Sequence, residues 1–243
     1  MQLTDYIILF SSVTLGGLSF FLVKNPRPDF LKIVLSFSGA FLFALSVLHL
    51  MPTVYDHAPA NIGAWIMLGF FLQVILELFS EGIEHGHMHI HHHHNSVFPA
   101  GMMISLCLHS FLEAIPLSMG TMEVHGHTHT GSSLLAGIAL HHIPVAFALV
   151  SMLIASGVNR SNTLLLLLTF ALMGPLGAWS GEAFGIGSQE EFSGWYKRIM
   201  AVVIGIFLHI STTILFESGS GHRFNLYKMA AIITGGLAGL LAI

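Results

Sequence analysis

Charge is what this sequence has least of. Its 243 residues include 8 Lys+Arg and 12 Asp+Glu, 8% of the chain, where a soluble domain carries roughly 25%. So few ionised groups cannot keep in water a chain that is 54% hydrophobic with a mean hydropathy of +0.79. A soluble globular domain is excluded. The net charge of −4 leaves no basic surface to neutralise phosphates, which excludes a nucleic-acid partner. Cys107 is the single cysteine, which excludes a disulfide framework. What is abundant instead is histidine: 17 residues, more than the 12 acids.

Long apolar runs account for the hydropathy. A helix needs about 20 mostly apolar residues to cross a bilayer. Eight such runs can be read, at about 3–23, 31–53, 61–84, 98–121, 132–157, 162–183, 198–217 and 225–243. The expected fold is an all-α integral membrane protein of eight transmembrane helices, a single domain over residues 1–243 with histidine-rich loops at 85–97 and 122–131. Met1 to Asp5 lacks the basic segment of a cleaved signal, so the first span is expected to stay. If the N-terminus is outside, Lys24, Arg27, Lys32, Arg160, Arg223 and Lys228 fall inside, and only Lys197 and Arg198 fall outside. The positive-inside bias therefore places both termini outside, and the short loops suggest the inner (plasma) membrane of a bacterium. Gly16, Gly17, Gly235, Gly236 and Gly239 are expected to form helix-packing faces.

Ionisable groups inside spans cost about 2.5–3.5 kcal/mol near the bilayer centre, so each needs a reason. In the fourth span His109 and Glu113 are four apart and share one helix face. In the fifth, His141 and His142 precede Pro144 at a similar depth. Imidazole and carboxylate so placed can bind one divalent ion. Pro116 and Pro144 also leave the carbonyls of Leu112 and Leu140 without their usual helical donors, which is tolerated where the backbone lines a cavity. In the third span Gln73, Glu77, Glu81 and His85 recur every four residues, a polar stripe leading toward the tract His85–His94. In the seventh, His209, Thr213 and Glu217 share a face, and in the second His49 precedes Pro52. Either histidine is a candidate accessory ligand. Ten of the histidines lie in the two loops, seven at 85–94 and then His125, His127 and His129, where they bind metal by composition rather than geometry.

These residues resemble the ZIP family of zinc and iron transporters. His109-Ser110-Phe111-Leu112-Glu113-Ala114, His141-His142-Ile143-Pro144-Val145 and His49-Leu50-Met51-Pro52 are similar to that family's signatures on spans four, five and two. The resemblance implies a bundle in which inverted three-helix groups surround spans four and five. It also implies movement of divalent metal toward the cytoplasm through a midplane site. The implied ligands are His109, Glu113, His141 and His142, with His49 on the way in and Glu77, Glu81 and His209 as further candidates. Zinc is the implied substrate, with iron or other divalent metals as alternatives, no organic cofactor, and a homodimer as the candidate assembly. The chain departs from the family pattern at Ser110, Val145 and Gly174, positions where members often carry ligands for a second metal, so a single-metal site is expected. Two other readings compete. A membrane-embedded zinc hydrolase would use His109, His141 and His209 as ligands and Glu113 as base; a sensor on the same fold would bind metal without moving it.

Overall fold

The structure, a computed structural model, describes residues 1–23, 28–56, 59–80, 100–119, 129–183, 189–217 and 226–242. Glu81, the histidines from His85 to His94, His125 and His127 lie outside the described residues. Within them the secondary structure is helical: α1 (Leu3–Leu22), α2 (Pro28–Leu45), a π-helical turn (Ser46–Leu50), α3 (Met51–Tyr55), α4 (Ile62–Ser80), α5 (Ala100–Met119), α6 (His129–Ala155), α7 (Arg160–Ala183), α8 (Gln189–Glu217) and α9 (Leu226–Leu241). The segment Phe30–Tyr55 runs through α2, the π turn and α3 as one rod. Eight rods result. Seven are long and apolar enough to cross a membrane, and α9, at 16 residues, is apolar but shorter.

Three local departures from the sequence expectation have physical causes. The second span is interrupted at Ser46–Leu50 because Pro52 lacks an N–H and its ring collides with the carbonyl four residues back. Widening the turn relieves that collision, and Met51 N–H bonds to the Ser46 carbonyl, five residues back. The seventh span starts at Gln189 rather than 198. No proline follows Pro175 to stop the helix, and Gly194 costs only about 1 kcal/mol. The loop expected at 122–131 gives up its last residues to α6, which starts at His129. Both α5 and α6 remain helical through Pro116 and Pro144.

The rods pair in a pattern that nearly repeats. The most extensive contacts are α5 with α7, α4 with α8, α2 with α9 and α1 with α6. Exchanging α1 with α7, the α2–α3 rod with α8, α4 with α9 and α5 with α6 maps this set onto itself. The α1–α7 and α2–α8 contacts map onto themselves, and α2–α6 onto α5–α8. That is the packing expected of two inverted three-helix groups around a central pair. Two contacts break the exchange: α4 leans on α5 far more than its counterpart α9 leans on α6, and α6 on α7 more than α5 on α1.

Glycine makes the close pairings possible. A Cβ at Gly16 on α1 would overlap the Ile143 carbonyl on α6, and one at Gly177 on α7 would overlap the Phe111 carbonyl on α5. The central helices thus rest their backbones on glycines of the flanking ones, beside His142 and between His109 and Glu113. Of the glycines expected to pack, Gly16, Gly17, Gly235 and Gly239 do so, whereas Gly236 faces open space.

Candidate metal site

His109, Glu113 and His141 are fully buried and His142 is nearly so. A carboxylate withdrawn from water costs several kcal/mol unless it is paired, and the pairing here comes from two helices. On α5, His109 Nε2 lies 2.9 Å from Glu113 Oε1, the one-turn spacing read from the sequence. From α6, His142 Nε2 lies 3.1 Å from Glu113 Oε2. Glu113 therefore faces two imidazoles with its two oxygens. The His141 ring stands edge-on to His109, centroids 6.1 Å apart, and 6.3 Å from that of His142. Phe170 of α7 closes the far side of His142 at 5.8 Å.

Among the described residues no three His, Cys, Asp or Glu side chains have their donor atoms drawn up around one point. The arrangement is one of direct pairing. As a donor set it is nonetheless chemically apt for a borderline divalent ion, one carboxylate with neutral imidazoles.

The stripe on α4 divides between two partners. Gln73, fully buried, sits with Oε1 3.2 Å from His109 Nδ1, and beside it Ser105 Oγ of α5 donates to the Leu76 carbonyl at 2.6 Å. Glu77 forms an ion pair with His209 of α8, whose ring lies edge-on to Phe70, 4.9 Å between centroids. Thr213 turns its hydroxyl to the carbonyl of His209. Because His209 is engaged with Glu77, the three-histidine shell that a hydrolase would need is not assembled among the described residues. His49 sits in the π turn, with Thr53 Oγ1 donating to its carbonyl at 2.8 Å.

Two of the three expected departures, Ser110 and Gly174, come together. A Cβ at Gly174 would lie 3.6 Å from Ser110 Oγ and 3.7 Å from Leu9 Cβ, and Val145 is fully buried. Small groups thus face each other at Ser110 and Gly174. The hydroxyl of Ser110 has no hydrogen-bond partner among the described residues. Sequence reasoning placed Gln73 on the stripe but missed its bond to His109; the signal available was its position one turn before Glu77.

Residues 97–242, more than half of the chain, match the family described as ZIP zinc transporter. The curated relatives include Zinc transporter ZIP9 of Xenopus tropicalis, 26% identical over 175 residues, and Zinc transporter ZIP9-B of Xenopus laevis, 28% identical over 175 residues. Each alignment takes in 69% of this chain and 58% of the relative. Zinc transporter ZIP9 of Micropogonias undulatus is 27% identical over 173 residues, 69% of this chain and 56% of its own length. The chain thus spans less than two thirds of the length of these relatives.

Proposed function

This chain belongs to the ZIP zinc transporter family, and we propose that it carries a divalent metal ion, zinc first, across the membrane toward the cytoplasm. Metal enters past His49, is held by His109, Glu113, His141 and His142, and leaves along Glu77 and Glu81 toward the histidine tract. His209 acts on that exit path as the partner of Glu77. The observation that carries this reading is Glu113, fully buried and presenting one oxygen to each of two imidazoles on different helices. Packing alone gives no reason to bury a carboxylate there. One ion is carried at a time, because Ser110, Val145 and Gly174 offer no charged ligand beside the cluster.

The protein works with both termini outside, in a plasma membrane and as a homodimer. Lys197 and Arg198, the cations that dissent from this orientation, are both engaged in the fold. Lys197 donates to the Asp56 carbonyl, and the Arg198 guanidinium lies 5.2 Å from the Trp195 ring centre and 6.0 Å from that of Trp65. Their place is explained by packing and cation–π attraction, which lightens their weight in the charge count.

Zinc uptake into proteoliposomes tests the reading. The parent accumulates zinc, and Glu113→Ala and His142→Ala lose more than the ~10–100-fold that outer-shell changes cost. Parental uptake in both variants would overturn the site.

A further inference from the structure

We propose that Gln73 is a positioning residue for His109, supplied by the neighbouring helix α4, and that it fixes which imidazole nitrogen is offered to metal; this rests on the transport reading above. The amide oxygen of Gln73 can only accept a hydrogen bond, and it faces His109 Nδ1 at 3.2 Å. The proton of a neutral imidazole is then on Nδ1, and Nε2 is left with its lone pair. That lone pair points toward Glu113 Oε1 at 2.9 Å. A carboxylate is also an acceptor, so the two atoms are held at this distance only by a cation, a proton or a metal ion, shared between them. The Gln73 bond therefore converts what would be a closed histidine–glutamate hydrogen bond into a pair that seeks a cation.

Three further observations agree. Glu113 Oε1 accepts no aligned hydrogen bond among the described residues. Gln73 is fully buried, so no solvent competes for the bond. The bond also lies in the α4–α5 contact, one of the two that break the near-symmetry of the bundle. His142 differs: its Nε2 faces the acceptor Glu113 Oε2 at 3.1 Å and so carries the proton, while its Nδ1 has no hydrogen-bond partner among the described residues. His109 is thus the imidazole whose Nδ1 is held from outside the cluster, by a helix that packs chiefly on α8 rather than on the site. A shift of α4 and α8 against α5 would release it.

The test uses the full chain in detergent, labelled with ¹⁵N-imidazole, zinc-free, with the His109 signal identified by its loss in His109→Asn. The parent and Gln73→Glu, which keeps an acceptor oxygen, should both show the Nδ1–H tautomer, and Gln73→Met a mixture. In proteoliposomes Gln73→Met should raise KM for zinc at least about 10-fold with Vmax near parental, and Gln73→Glu should recover most of that loss. An Nε2–H tautomer in the parent overturns the assignment even if Gln73→Met fails to fold, as does a parental KM in Gln73→Met. A parent that moves no zinc but holds the Nδ1–H tautomer would sink the transport reading and leave the positioning role standing.

Discussion

Glu113 and Glu77 solve the same problem, a carboxylate inside a membrane helix, in two ways. Glu113 is fully buried and faces histidines on two helices, whereas Glu77 has one histidine partner and keeps partial exposure. The second pair should therefore act mainly as a helix tie. Polar pairs inside membrane proteins average about 0.6 kcal/mol and rarely exceed about 1.7. A double-mutant cycle on Glu77→Ala and His209→Ala, read by thermal unfolding in detergent, should give a coupling in that range. A coupling indistinguishable from zero would mean that the pair does not hold α4 to α8. The His109–Glu113 relation was legible in the sequence because one helix face fixes it. Which of His141 and His142 meets Glu113 was not. Adjacent residues point about 100° apart on a helix, and only the rotation of α6 against α5 decides between them.

At the scale of elements, glycine sets how close the flanking helices come to the site. Gly177→Ala would drive a Cβ into the Phe111 carbonyl, and overpacking of this kind costs about 1–3 kcal/mol. Gly174→Ala, one turn earlier on α7, meets only ordinary contacts with Ser110 and Leu9 and should leave the unfolding temperature near parental. Equal unfolding temperatures for the two variants would contradict the crossing described for α5 and α7. Helix existence was readable from apolar length, and helix ends were not. The π turn before Pro52 needed knowledge of what the freed backbone could bond to. The extension of α8 back to Gln189 crosses a stretch too polar to read as membrane-spanning, and its signal was the helical spacing of Phe192, Trp195, Tyr196 and Ile199.

At the scale of the whole molecule, the near-symmetric pairing of rods was invisible in the sequence, where no repeat stands out, because inverted groups need share only packing shape and small residues at the crossings. Membrane character and family were readable from hydropathy and from three short motifs, and the family match over residues 97–242 agrees with both. The central claim is that this bundle encloses one metal site made by Glu113 and its histidines. Its most direct test is the number of zinc ions bound per chain, by equilibrium dialysis, after the loop histidines His85–His94 and His125–His129 are replaced by serine. The account predicts one zinc, lost on adding Glu113→Ala. Two zinc ions per chain, or one that survives Glu113→Ala, would contradict it.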